Sequence, residues 1–156
     1  VTQQMSDRLK LMAGASWTRW SRFDEIRVID PNAPGGDPIT FEQQDYSNAW
    51  AYALGGEYQL NPQLALRAGI TLDFTPTSDE FRSARIPSDD RRIFSVGAGW
   101  TPVDNLTVDL AYSYLTERST QVDQERQDAG GAITSSYTAD YKNEAHGFGA
   151  QLTYRF

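Results

Sequence analysis

Gly147-Phe148-Gly149-Ala150-Gln151-Leu152-Thr153-Tyr154-Arg155-Phe156 closes the sequence, and the rest of the chain is read outward from it. Phe148, Ala150, Leu152, Tyr154 and Phe156 share one parity; Gln151, Thr153 and Arg155 share the other. An extended segment with this alternation has one apolar, aromatic face and one polar face. A strand of a small soluble domain can alternate this way against a core. A terminal strand that ends on an aromatic of its apolar face is the pattern of a bacterial outer-membrane barrel, whose apolar face meets lipid and whose polar face meets a wet lumen.

Five further stretches alternate at period two. Leu9, Leu11, Ala13, Ala15 and Trp17 alternate with Lys10, Met12, Gly14, Ser16 and Thr18. Near Ala49–Leu60, Trp50, Tyr52, Leu54 and Tyr58 oppose Ala51, Ala53, Glu57 and Gln59. The cleanest stretch sets Leu64, Leu66, Ala68, Ile70, Leu72 and Phe74 against Ala65, Arg67, Gly69, Thr71 and Asp73. Phe94, Val96, Ala98 and Trp100 then oppose Ser95, Gly97 and Gly99, and Leu106, Val108, Leu110, Tyr112 and Tyr114 oppose Thr107, Asp109, Ala111 and Ser113. Most stretches reach the roughly 9–11 residues that cross a bilayer at a tilt.

Short and long connections alternate. Asn61-Pro62-Gln63 and Pro102-Val103-Asp104-Asn105 are tight polar turns, whereas Ser21–Asp45, Thr75–Arg92 and Thr116–Thr138 are long. An up-and-down meander places all the long connections at one end, as in outer-membrane barrels with long external loops and short periplasmic turns. Six strands do not close a barrel, because the smallest membrane barrels have about 8 and an open edge in lipid leaves backbone groups unpaired. The expected fold is therefore an all-β, antiparallel up-and-down transmembrane barrel. Residues 1–156 are expected to be the C-terminal part of something longer, with the remaining strands outside them, in preference to a protomer of a shared barrel.

Composition fits this reading. The mean hydropathy of −0.57 is that of a polar chain, but only alternate residues of a barrel strand face lipid. Eight Tyr and four Trp suit membrane–water interfaces. No window approaches the roughly 18 apolar residues of a spanning helix. The absence of cysteine excludes a disulfide framework and thiolate metal sites. A net charge of −7 argues against nucleic acid as a partner.

Four stretches resemble the bacterial outer-membrane transporters of long-chain fatty acids and aromatic hydrocarbons, the FadL/TodX type. Trp17-Thr18-Arg19-Trp20-Ser21-Arg22-Phe23-Asp24 is similar to the family's paired-Trp strand. Ala53-Leu54-Gly55-Gly56-Glu57-Tyr58, followed by Leu66–Ile70 and Asp73-Phe74-Thr75-Pro76, resembles its central hairpin. Ile86-Pro87-Ser88-Asp89-Asp90-Arg91 resembles its I-P-D-x-D-R segment, with Ser88 where the family has an acid. Leu106–Tyr114 and the terminal strand complete the match. The resemblance implies a monomeric barrel of roughly 14 strands, plugged by an N-terminal hatch. It also implies a hydrophobic substrate that passes from the long-loop side through apolar pockets to a lateral opening, with no cofactor and no chemistry. The implied location is the bacterial outer membrane. The expected partners are a long-chain fatty acid or other hydrophobic small molecule, outer-membrane lipid and, through the terminal strand, the barrel-assembly machinery. The alternative is a structural or adhesive barrel without transport.

Lumen parity collects Lys10, Glu57, Arg67, Asp73, Asp109 and Arg155. Charges there either pair into a lattice that stiffens the wall, or anchor a plug or guide a carboxylate. Asp89, Asp90, Arg91 and Arg92 stand where the middle long connection re-enters the barrel; the resemblance singles out Asp90 and Arg91 as an internal pair shaping the passage. The candidate passage residues are thus Arg67, Asp73, Asp90, Arg91 and Asp109. His146 has lipid-side parity, which leaves it poorly placed as the base of a lipid hydrolase. Asp30-Pro31-Asn32-Ala33-Pro34-Gly35 begins like a calcium loop but puts Pro at an oxygen-ligand position and Phe41 where the bidentate Glu belongs, and reads as a turn. Gly97 and Gly99 fit no phosphate loop; glycine on a lumen face makes room for another part of the chain.

Overall fold

The computed structural model describes residues 1–31, 38–127 and 132–156. Its strands are β1 (Thr2–Gln4), β2 (Leu9–Thr18), β3 (Glu25–Ile29), β4 (Pro38–Gln43), β5 (Ala49–Asn61), β6 (Leu64–Asp73), β7 (Arg91–Val103), β8 (Leu106–Glu117), β9 (Thr120–Gln127), β10 (Ile133–Tyr141) and β11 (Glu144–Tyr154). One 3-10 turn, Trp20–Arg22, follows β2. Seven strands form a single antiparallel sheet in the order β1-β2-β5-β6-β7-β8-β11, and two hairpins, β3–β4 and β9–β10, stand apart from it. Every strand expected from the alternation is present and pairs with its neighbour along the chain, as an up-and-down meander requires.

The register confirms the parity of each face, because directly opposed residues of antiparallel strands point to the same side. Leu66 lies opposite Tyr58 and Ala98, and Leu110 opposite Ala98 and Ala150, all on the apolar face. Arg67 lies opposite Glu57 and Gly97 on the other. Register shifts occur between Gln59 and Asn61 and between Trp100 and Val103, both at the short-turn end. Bulges of this kind end pairing and tighten the twist.

The apolar face is not folded against a core. Leu66, Ile70 and Leu110 are 42%, 37% and 57% exposed, and the hydrophobic residues buried among the described ones are Ala49, Ala65 and Val122. The accessible surface is 11371 Å², against about 7,900 Å² for a globular monomer of this mass. A sheet this large with its greasy side open is a wall whose second solvent is hydrocarbon.

Two features differ from the sequence reading. A seventh sheet strand, β1, pairs through Thr2↔Met12 to Gln4↔Lys10; three polar residues carry no alternation to reveal it. The first and third long connections are also not plain loops, since they rise into the hairpins β3–β4 and β9–β10. β9 is rich in Gln, Asp and Glu and has no continuous apolar face, so its ladder leaves little trace in hydropathy. This second hairpin packs over the middle connection, where Val122, Arg82 and Ser83 are buried and the Ala84 N–H meets Gln124 Oε1 at 3.4 Å. Of the stretch compared with a calcium loop, residues 32–35 lie outside the described residues.

Candidate functional site

The polar face carries two charge clusters separated by an uncharged interval. Nearer the short turns, Lys10 Nζ meets Glu57 Oε1 at 2.8 Å, Arg67 Nε meets Glu57 Oε2 at 2.7 Å, and Arg67 Nη1 meets Asp109 Oδ1 at 2.6 Å. This ladder runs across β2, β5, β6 and β8 with alternating sign. To reach Asp109, Arg67 must cross β7, and it does so over Gly99. A Cβ built on Gly99 would lie 2.8 Å from Asp109 Oδ1 and 3.1 Å from Arg67 Nη2. One strand position earlier on that face, a Cβ on Gly97 would stand 3.8 Å from Arg67 Cβ. The glycines of β7 are the channel in which the guanidinium lies.

The second cluster forms where the middle connection joins β7. Arg91 Nε contacts Glu117 Oε1 at 2.9 Å, Arg91 Nη1 stands 3.7 Å from Asp73 Oδ2, and Arg91 Nη2 donates to Ser88 Oγ at 2.7 Å. Asn143 donates to Glu117 Oε2 at 2.7 Å and to the Pro87 carbonyl at 2.9 Å, tying β11 to the same knot. Behind it, the buried Arg82 is paired with Asp79, stands 3.4 Å from Asp89 and donates to the Ser88 carbonyl at 3.1 Å. Where the family segment has an acid, Ser88 presents a hydroxyl to Arg91, and Glu117 supplies the carboxylate. Between the clusters, Arg67 and Asp73 are about 20 Å apart along β6 at the usual rise per residue. Across that interval the register sets one row of Gly55, Gly69, Ser95, Ser113 and Gly147 and a second of Ala53, Thr71, Ile93, Leu115 and Ala145. A concavity of about 460 Å³ opens over Gly69, Ser95, Ala111 and Gly149, with Arg67 and Asp109 at its lower end.

Of the five candidates, the fold brings Arg67 and Asp109 together and sets Asp73 beside Arg91. Asp90 does not pair with Arg91. Its carboxylate accepts the Thr75 N–H at 2.9 Å, and its carbonyl accepts the Arg118 N–H at 3.0 Å, so it holds the base of the middle connection. The two residues are neighbours on an extended chain, which sends their side chains apart. Arg92 has the opposite parity to Arg91 and lies opposite Leu72 and Thr116 at the outer rim of the lipid face. Glu117 and Arg82 escaped the sequence reading. Glu117 continues the lumen parity of Asp109 beyond the alternating run, a signal that was available. Arg82 sits in an irregular segment with no periodicity to place it.

The apolar face has aromatic residues towards both rims. Trp50 stacks on Tyr52 at 5.8 Å and Tyr52 meets Phe74 edge-on at 6.2 Å near the long-loop end, while Tyr154 packs edge-on against Phe156 at 5.5 Å near the short turns. His146 belongs to this face: its Nδ1 lies 2.8 Å from the Tyr112 hydroxyl, and its ring packs 5.1 Å from that of Tyr114. Aromatic bands at two levels are the mark of a barrel seated in a bilayer.

Fold and faces together define the wall of an outer-membrane β-barrel. The family described as outer membrane protein transport protein (OMPP1/FadL/TodX) matches residues 1–156, and the chain belongs to it. Outer membrane protein P1 of Haemophilus influenzae is 34% identical over 157 residues, covering 98% of this chain and 33% of that protein. The long-chain fatty acid transport protein of Escherichia coli K12 is 25% identical over 141 residues, covering 90% of this chain and 29% of its own length. The crystal structure of a Pseudomonas aeruginosa FadL homologue superposes with a TM-score of 0.79 at 33% identity, over 98% of this chain and 34% of that one. The chain spans about a third of the length of the curated relatives it matches.

Proposed function

We propose that this chain forms the C-terminal wall of a larger, plugged barrel that carries hydrophobic compounds, long-chain fatty acids among them, across the outer membrane by passive diffusion. The observation that carries this reading is the polar face itself. Lys10, Glu57, Arg67 and Asp109 are paired at one level and Asp73, Arg91 and Glu117 at the other, and the interval between them carries small and apolar residues without a charge. Between these levels such a surface offers a fixed lining past which an apolar molecule slides without meeting a charge, and against which a hatch can rearrange. Outer-membrane lipid is the partner of the opposite face. The barrel-assembly machinery is the partner of the terminal strand during insertion.

The two hairpins support a second reading, an adhesive barrel that uses β3–β4 and β9–β10 to grip a surface partner while its lumen stays shut. Uptake of labelled oleate into vesicles containing the full-length protein separates the two. Saturable uptake well above that of protein-free vesicles is expected; uptake equal to that of empty vesicles sinks the transport reading. Asp73→Leu leaves Arg91 held by Glu117, so the barrel is expected to assemble while oleate flux changes several-fold. Unchanged flux and unchanged heat-modifiable migration would remove Asp73 from the passage.

A further inference from the structure

We propose that the outside of the wall, where β7, β8 and β11 lie side by side, seats one phosphorylated lipid of the outer leaflet, with its phosphate at Arg92 and an acyl chain in a hollow below. The register sets the lipid-facing residues of these strands in rows. Arg92, Thr116 and Glu144 form the outermost row, and Phe94, Tyr114 and His146 the next. On the neighbouring β5 and β6 the same rim is aromatic, with Trp50, Tyr52 and Phe74 packed together. That is the surface an interface with bulk lipid favours. On β7, β8 and β11 the rim turns polar and charged, which bulk lipid does not require.

Arg92 supplies the charge preference. It is exposed, and among the described residues it has no carboxylate partner. The acids nearest to it along the rim are engaged elsewhere. Glu144 Oε1 lies 3.0 Å from Lys142 Nζ, and the Asp90 carboxylate accepts the Thr75 N–H at 2.9 Å. A long side chain at a strand end keeps its stem in hydrocarbon and its guanidinium at headgroup level. The planar fork matches the oxygens of a phosphate, and Thr116, directly opposite on β8, adds a hydroxyl beside it.

Below the rim the surface changes from polar to apolar in the order a lipid does. His146 Nδ1 and the Tyr112 hydroxyl satisfy each other at 2.8 Å, which spares both an unmet partner in hydrocarbon. The second ring nitrogen of His146 remains for an ester or amide of the lipid. One row further in than Tyr112 and Phe148, Ala98 and Ala150 flank Leu110. Their short side chains leave a hollow of about 630 Å³ lined by Val96, Leu110, Tyr112 and Phe148. Val96 and Phe148 are 56% and 82% exposed, so nothing in the chain covers it. From Arg92 to Ala98 is about 20 Å along a tilted strand, the depth of one leaflet of a hydrocarbon core roughly 30 Å thick.

The site depends on which face meets lipid and not on transport. Native mass spectrometry of the full-length protein in detergent would use three probes: diphosphoryl lipid A, the same glycolipid without its phosphates, and inorganic phosphate. The phosphorylated lipid is expected to bind one per barrel and about tenfold tighter than its phosphate-free counterpart. Arg92→Gln should weaken it by roughly three- to tenfold. Arg8→Gln, the same change of charge at the short-turn end, should leave binding unaltered. Ala98→Phe stays apolar on a lipid face and fills the hollow, and should weaken both glycolipids by roughly threefold. Lipid A binding indifferent to Arg92→Gln, or equally reduced by Arg8→Gln, in protein that keeps heat-modifiable migration, would overturn the headgroup site. Indifference to Ala98→Phe would overturn the acyl seat. Inorganic phosphate held at Arg92 as tightly as lipid A would mean a free-anion site and overturn the lipid. Oleate flux is read independently, so transport can stand while the lipid site falls, or the reverse.

Discussion

Ile70→Arg and Leu66→Arg are expected to stop the barrel from inserting, while Thr71→Arg, one residue from Ile70 on the other face, inserts normally. Ile70 lies near the middle of β6, opposite Leu54 and Phe94 on the apolar face. An Arg at the bilayer midplane costs about 2–4 kcal/mol, falling towards the interfaces, so Ile70→Arg should be the more severe of the two. Thr71 lies opposite Ala53 and Ile93 on the lumen side, where water keeps a charge solvated. Assembly into liposomes, scored by heat-modifiable migration, reads the outcome. Equal insertion of Ile70→Arg and Thr71→Arg would mean that the two faces meet the same solvent, and the wall reading would fail.

The second large effect is expected at Gly99. Its Cα is buried beneath the Arg67 guanidinium, between β6 and β8. Alanine there would press on both partners of the bridge, and Gly99→Val should drive Arg67 off Asp109. Overpacking of this kind costs about 1–3 kcal/mol. The bridge contributes less by itself, since Arg67 is 42% exposed and an ion pair in such contact with water contributes up to about 1 kcal/mol. The prediction therefore concerns coupling. In an Arg67→Ala background the guanidinium is gone, and Gly99→Val should be nearly harmless. Denaturant midpoints of the four proteins in the cycle give the interaction energy directly. The same penalty in both backgrounds would show that β7 is glycine-rich for another reason.

The faces of the wall were legible in residues alone. Every stretch from Leu9–Thr18 to the terminal strand alternates at period two, and a side chain's face on an extended chain follows from its parity. The loop asymmetry was equally visible, because Asn61-Pro62-Gln63 and Pro102–Asn105 are too short to be anything but turns. The resemblance at Ile86–Arg91 located the cluster at the base of the middle connection, though not its internal pairing: Asp90 and Arg91 are adjacent in sequence and separate in space.

Periodicity is a local property, so it settles which half of the side chains meets hydrocarbon and which meets water. The partners of a lumen charge depend on how five strands are set against one another, on a gap left by Gly99, and on residues as distant as Arg67 and Asp109. Irregular connections carry no period at all. Their contributions, the buried Arg82 and the aromatic cluster of Trp20, Phe23 and Tyr46, came into view only when the fold had drawn them together.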